Sequence, residues 1–534
     1  MNLKIIDPVG ETDAAKSIGY NKADHPNASA ILFDNLQRNP DNLAVTGPKG
    51  QLSYRKLCSE ASRWGHAFID QGLQRGDRIA FFLDDTPTYP AAFFGAVRAG
   101  FVPVLLNTQT TPDLLNFLLA DTDAKIAVCE ANFTDNFSLE VTKGTKLSTI
   151  VIANGDAGIQ SDFIRADEFI FDKSQTLKCA DTKPDDMAFW MYSSGSTGRP
   201  KGIVHLQHDM AYTVSSFADN ILKLKSDDIC FSVPKIFFAY GFGNTFTFPF
   251  SVGAASVLMP GRPEAGRVLD TIETYQPTVF FGLPTLYTAL CRSDGVDKRD
   301  LSSLRLCLSA AEILSEDIFN AWKSLSGHEA VEGLGSTELL HVYLSNSTTD
   351  KRLGSAGKAV PGYDVVLRDS DGNLVASGEE GVMWARGDSS LPTYWNRPDK
   401  TADTVRGDWV YTGDRFIERD GYYYFQGRAD DLIKVSGQWV WPLEVERCLA
   451  EHPDVHECAV LAHQLADKRM TLRAIIRLRD GRNRDEAQTK LLQNHVRSAL
   501  LPFKYPRIVE YVDELPKTGT GKIDRQALVQ LPTS

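Results

Sequence analysis

Between residues 77 and 129 short apolar runs alternate with amphipathic stretches, and this alternation restricts the fold more than any other feature of the sequence. Residues 77–83, 101–106 and 124–129 read as buried strands, with helices at 89–99 and 112–120 between them. Strands that are apolar on both faces need cover above and below, so the β-α-β-α-β order predicts a parallel sheet layered with helices. A second series repeats the habit, with strands expected at 229–233, 255–259, 278–282 and 304–308. The fold class expected is α/β, with two such lobes in a large N-terminal domain, residues 1–429. After about residue 344 the texture changes to short strands, glycines and the turns Asp371-Gly372 and Asp420-Gly421. That change predicts a β-rich, barrel-like module over about 345–427. Residues 430–534 read as a small, mobile α+β domain, with helices at 443–450 and 485–500 and strands at 456–462 and 472–478.

Bulk composition excludes several classes. The 534 residues are 43% hydrophobic and 24% charged, ordinary values for a globular protein of roughly two to four domains. A net charge of −12 argues against a nucleic-acid partner, which needs basic patches. The eight cysteines include no Cys-x-x-Cys pair, and no His-Glu-x-x-His occurs, so no zinc site is expected. Most of them sit in apolar runs and read as buried thiols in a reducing compartment. The start, Met1 to Pro8, turns polar too soon for a signal peptide, and a cytoplasmic location is expected. Residues 236–259 carry no charge and are long enough to cross a bilayer. Gly241, Gly243, Asn244, Thr245, Thr247, Pro249, Ser251 and Gly253 interrupt them, however, so a pocket wall is expected there and no membrane span.

The strongest chemical signal is Tyr192-Ser193-Ser194-Gly195-Ser196-Thr197-Gly198-Arg199-Pro200-Lys201-Gly202, which follows an apolar run. Glycines let backbone N–H groups approach phosphate oxygens, hydroxyls donate further bonds, and a lysine adds positive charge. A flexible Ser/Gly linker would have no use for Arg-Pro-Lys-Gly. The sequence is not a Walker loop either, because Gly202 follows Lys201. Downstream lie Gly335-Ser336-Thr337-Glu338, with a carboxylate suited to Mg²⁺, and Tyr411-Thr412-Gly413-Asp414, with one suited to ribose hydroxyls. Gly427-Arg428-Ala429-Asp430-Asp431-Leu432-Ile433-Lys434 marks the domain change, and Pro516-Lys517-Thr518-Gly519-Thr520-Gly521-Lys522-Ile523-Asp524-Arg525 comes near the end. Each alone also occurs as a cap, a turn or a solvated charge run.

Together, in this order and spacing, the five motifs resemble the adenylate-forming superfamily of acyl-CoA synthetases, peptide-synthetase adenylation domains and luciferases, over essentially the whole chain. The resemblance implies a loop of Ser193, Ser194, Gly195, Ser196, Thr197, Gly198 and Lys201 around the β- and γ-phosphates of ATP. It implies Thr337 at the α-phosphate, Glu338 on Mg²⁺, and Asp414 and Arg428 on the ribose. Ala311 and Glu312, with Leu334, would border the adenine, and Gly335 and Ser336 would also bind ATP, the Ser336 hydroxyl at a phosphate. Lys522 would bridge the carboxylate and α-phosphate during adenylation. Asp430 would be the hinge of the small domain, and Gly437 part of the coenzyme A tunnel.

Lys235-Ile236-Phe237-Phe238-Ala239-Tyr240-Gly241-Phe242-Gly243-Asn244 and Gly333-Leu334-Gly335-Ser336-Thr337-Glu338-Leu339-Leu340-His341 look like benzoate-CoA ligases and their relatives. Position by position, Ala239, Tyr240 and Gly241 would line a flat slot for an aromatic or alicyclic acid. His341 would lie near the ring, and near Glu338 if that turn is helical, while Lys434 would meet the carboxylate. Core packing is the expected fate of at least two of Phe237, Phe238 and Phe242. Two departures stand out: Ala311 replaces the usual glycine before Glu312, and Trp441 the usual serine. The expected activity is that of an ATP-dependent aryl-CoA ligase with ATP, Mg²⁺ and coenzyme A. The alternatives are a stand-alone enzyme that loads a carrier protein, since the last motif leaves no space for a fused carrier, and an inactive acyl-adenylate-binding protein.

Overall fold

The computed structural model describes residues 14–155, 163–193, 199–310, 314–431, 433–435, 438–465, 469–517 and 523–530. At 14, 430, 434, 438, 439 and 502 it describes the backbone alone. The chain divides into two compact units. The first comprises Met1–Val366, Trp384–Tyr411 and Gly421–Tyr423, and the second comprises Leu367–Met383, Thr412–Asp420 and Tyr424–Ser534.

The first unit contains two large, mainly parallel sheets. One runs in the order Phe163–Arg165, Thr149–Ala153, Ile126–Glu130, Arg78–Phe82, Val102–Leu105, Met187–Ser193, Lys201–Leu206. Among the described residues only its last pair is antiparallel, and it opposes Ser193 to Lys201. The other has nine strands among the described residues, with Ile229–Ser232 between Ala255–Val257 and Val279–Gly282. Its sequence continues through Leu306–Ala310 to Ala330–Gly335 and Val342–Ser345. Strands such as Val102–Leu105 and Val279–Gly282 are buried along their whole length, which is why they read as unbroken apolar runs. Strand ends differ from expectation by up to two residues: Leu306–Ala310 stands for 304–308, Ile126–Glu130 for 124–129 and Ala255–Val257 for 255–259.

The helices Tyr54–Asp70 and Thr88–Arg98 cross at glycines. A Cβ on Gly95 would lie 2.3 Å from the Ala61 carbonyl oxygen, so no larger residue fits between the two backbones. Residues 236–259 fold as a broken helix, with Ala239–Phe242, the π-helical turn Gly243–Thr247 and Phe248–Val252, followed by the strand Ala255–Val257. Phe242, Phe246, Phe248 and Phe250 are fully buried in it. Among the described residues no helix is long and apolar enough to cross a membrane.

Residues 364–428 contribute a five-stranded sheet in the order Asp364–Arg368, Glu380–Arg386, Trp409–Arg419, Val405–Arg406, with Tyr422–Arg428 also on Trp409–Arg419. Among the described residues this sheet is open. The expected β-rich module is thus present, without a closed barrel among the described residues. In the second unit the strands Val455–Gln464, Met470–Leu478 and Ile508–Tyr511 form a sheet. Val445 and Leu449 of the helix Pro442–Ala450, and Leu492 and Val496 of Glu486–Ala499, share a core with its Val460, Leu472 and Ile476.

Candidate active site

The candidate phosphate loop lies between two paired strands, one ending at Ser193 and the other beginning at Lys201. Ser194, Gly195, Ser196, Thr197 and Gly198 lie outside the described residues, as do Ala311, Glu312, Gly437 and Lys522. Lys201 holds its ammonium 4.1 Å above the ring of Tyr394. The Tyr394 hydroxyl in turn donates to Glu338 Oε1 at 2.9 Å. Two backbone bonds hold this segment in place: Leu391 N donates to Glu338 O at 2.7 Å, and Trp395 N to Gly202 O at 2.8 Å. The loop lysine and the candidate metal carboxylate thus share one buried tyrosine, which joins sequence positions 201, 338 and 394.

Thr337 and Glu338 occupy a 3-10 turn, Thr337–Leu339, that follows the strand Ala330–Gly335. Below it, the fully buried His205 lies with Nε2 3.0 Å from the Thr337 carbonyl oxygen and Nδ1 2.9 Å from Asp209 Oδ2. Leu334 is partly buried and opposes Leu344 across the strand pair. A Cβ on Gly335 would lie 2.4 Å from the His341 carbonyl oxygen, so that position requires glycine. The turn ends at Leu340, whose φ of 66° is rare for a bulky residue. Because the helical turn stops there, His341 does not share a face with Glu338.

His341 points instead into an aromatic enclosure. It is 2% exposed, and its ring centroid lies 4.6 Å from Phe248, 5.2 Å from Phe217 and 5.5 Å from Tyr240. Nε2 reaches the Tyr240 carbonyl oxygen at 3.4 Å, and Nδ1 has no hydrogen-bond partner. Burial pushes its pKa down to about 3, so the imidazole is neutral at physiological pH. Ala239 is buried, and the Tyr240 ring stands edge-on to Phe281 at 6.3 Å. Gly241 opens no gap: a Cβ there would lie 2.1 Å from the Lys235 carbonyl oxygen, so the missing side chain lets two backbone segments touch. Phe237 and Phe242 are core residues, while Phe238 is only partly buried.

In the second unit, Arg428 Nη1 donates to Asp414 Oδ1 at 3.0 Å and to Thr412 O at 2.9 Å. Gly413, at φ 71°, allows this; a Cβ there would lie 2.8 Å from Arg428 Nη2. Asp430 belongs to the 3-10 turn Ala429–Asp431, and Lys434 opposes Trp439 in a short hairpin. Trp441 stacks under Arg415, whose Cζ lies 3.4 Å from the ring centroid. Lys517 and Ile523 form an isolated bridge on either side of residues 518–522.

Two residues of the site escape sequence reasoning. His205 looks like one polar residue in a strand. Tyr394 lies in Leu391-Pro392-Thr393-Tyr394-Trp395-Asn396, whose paired aromatics between a proline and an asparagine were the available signal.

Residues 32–395 match the model of the AMP-binding enzyme family, and residues 444–522 match that of the AMP-binding enzyme C-terminal domain. The benzoate–CoA ligase of Thauera aromatica is 40% identical over 479 residues, covering 89% of this chain and 90% of the relative. The 4-hydroxybenzoate–CoA/benzoate–CoA ligase of Rhodopseudomonas palustris is 39% identical over 492 residues, 92% of this chain and 90% of the relative. Among solved structures, that of an anthranilate CoA ligase in complex with anthranoyl-AMP superposes with a TM-score of 0.89 at 35% identity, covering 95% of this chain and 98% of that one. With both domains matched in order over most of its length, the chain belongs to the AMP-binding enzymes.

Proposed function

We propose that this enzyme is an aryl-CoA ligase that activates a compact ring carboxylic acid, of the benzoate, hydroxybenzoate or aminobenzoate type, as its acyl-adenylate and passes the acyl group to coenzyme A. The observation that carries this reading is the meeting of Tyr240 and His341, 101 residues apart, in one buried enclosure of aromatic rings beside the small Ala239. Burying a planar ring against such aromatic side chains is favourable, at about 25 cal/mol per Å² of apolar area. A neutral His341 adds no charge that an uncharged ring would have to desolvate.

In this reading a carboxylate oxygen attacks the α-phosphorus of ATP, the bond to the β-phosphate oxygen breaks, and pyrophosphate leaves. The thiol of coenzyme A then attacks the acyl carbon and expels AMP. Charge grows on phosphoryl oxygens in the first step, so the protein's part is positioning and electrostatic stabilisation. The Ser193–Lys201 loop holds the outer phosphates and Thr337 the α-phosphate. Asp414 and Arg428 hold the ribose, Ala311, Glu312 and Leu334 border the adenine, and Gly335 and Ser336 also bind ATP. Lys522 neutralises charge during adenylation, and Lys434 meets the carboxylate. Residues 430–534 act as a domain turning about Asp430, with Gly437 on the thiol path. Cytoplasm is the compartment proposed.

Mg²⁺ fits the residues present. Among the described residues no cluster of three or more His, Cys, Asp or Glu could hold a metal alone. Glu338 supplies one partly exposed, hard carboxylate oriented by Tyr394. Mg²⁺ is usually held this way, by one or two carboxylates plus substrate phosphates and water. When bound it would neutralise phosphate charge.

A pyrophosphate-release screen over benzoate, its hydroxy and amino derivatives, cyclohexanecarboxylate and linear fatty acids tests the substrate class. Preference for palmitate over every ring acid would refute it. Ala239→Leu overfills a buried position, at a cost of about 1–3 kcal/mol. KM for the ring acid is expected to rise about tenfold or more, with KM for ATP unchanged. Tyr394→Phe keeps the ring under Lys201 and removes one bond to a carboxylate, worth about 1.5–3 kcal/mol. Adenylation is expected to slow at least about tenfold, with thioester formation from supplied acyl-adenylate unaffected; single-turnover assays of each half would check this.

A further inference from the structure

A buried charge cluster stands directly behind the acid enclosure. Lys235 follows the strand Ile229–Ser232, and Asp84 and Asp85 follow Arg78–Phe82, so the carboxyl ends of strands from two different sheets meet through these side chains. Exposure is 8% for Lys235, 6% for Asp84 and 4% for Asp85. Lys235 Nζ lies 3.1 Å from Asp84 Oδ1 and 3.4 Å from Asp85 Oδ2, and it donates to Met259 O at 2.6 Å. Asp84 Oδ2 accepts from Gly261 N at 2.6 Å, and Asp85 Oδ1 from Ile236 N at 3.3 Å. The chain leaving three strands, around residues 84, 235 and 259, is thereby tied at one point.

Two carboxylates and one ammonium taken out of water are a poor source of stability, because desolvation offsets most of their attraction. What such a cluster supplies is fixed geometry. Here the geometry is that of the acid site: Phe238 N donates to Lys235 O at 3.0 Å, and Gly241 sits against the same carbonyl without room for a Cβ. The turn carrying Ala239 and Tyr240 is therefore seated on the backbone of Lys235. Any shift of Lys235 is passed directly to the slot.

We propose that Lys235, clamped by Asp84 and Asp85, is a positioning residue that sets the place of the Ala239–Tyr240 wall and hence the affinity for the acid, without touching the substrate. This rests on the reading of residues 239–241 as the acid site. Full-length Lys235→Met and Asp85→Asn would be compared with wild type in steady-state pyrophosphate release, varying the acid at saturating ATP and then ATP at saturating acid. Lys235→Met is expected to raise KM for the acid about tenfold or more and to leave KM for ATP unchanged. Asp85→Asn should give a smaller rise in the same direction, with a cooperative thermal melt retained. A folded Lys235→Met enzyme with wild-type KM for the acid, or with both KM values rising in parallel, overturns the proposal. Should Lys235→Met not fold, Asp85→Asn decides, and an unchanged KM for the acid there overturns it equally. If wild type accepts no ring acid, the substrate reading fails; the same comparison with whichever acid it does accept still decides the role of Lys235.

Discussion

Lys522→Ala is expected to slow acyl-adenylate formation by roughly a thousandfold, the usual cost of removing one preorganised charge from a transition state. Thioester formation from supplied acyl-adenylate should stay within a few-fold of wild type. The asymmetry follows from the chemistry: charge accumulates on the α-phosphoryl oxygens only while pyrophosphate departs, whereas the thiol step releases an AMP that is already charged. The experiment is a pair of single-turnover assays, one from acid and ATP and one from the acyl-adenylate and coenzyme A. Equal losses in the two halves would mean that Lys522 supports the fold or binds a group common to both steps.

Asp430→Pro is expected to do the reverse. Asp430 lies in the 3-10 turn Ala429–Asp431, and such turns hold φ near −50 to −70°. Proline fixes φ at about −65°, so the substitution suits the backbone seen here and opposes any rotation that needs another φ. If the small domain must turn about this residue between half-reactions, thioester formation should fall about a hundredfold while adenylation continues. Unchanged steady-state turnover would place the hinge elsewhere.

How much could be read in advance depended on the range of the interactions. The sheet strands were legible because a parallel strand buried on both faces must be apolar throughout, as Val102–Leu105 and Val279–Gly282 are. The strand expected at 304–308 begins at Leu306, and its start meets a distant segment through the N–H groups of Arg305 and Leu306, which both donate to Thr278 O. The β-rich module was legible as such, but not whether it closes. Short strands and Asp-Gly turns report local geometry, and whether the outer strands pair is a long-range matter. Helical spacing from Glu338 to His341 likewise assumed that the turn continues, and Leu340 at φ 66° ends it.

The sequence alone determined the α/β class and the order of the five glycine- and charge-bearing motifs, because each depends on residues within a few positions of one another. Tertiary structure alone decided that Tyr394 joins Lys201 to Glu338, that His205 supports Thr337, and that the space beside Gly241 belongs to the Lys235 backbone. It also decided that Asp84 and Asp85 clamp Lys235 from another sheet. These contacts join residues from 6 to 193 positions apart in the chain. The residue types in the sequence show that a carboxylate or an aromatic ring is present, but which partner it meets is fixed only when the two sheets and their loops are packed together.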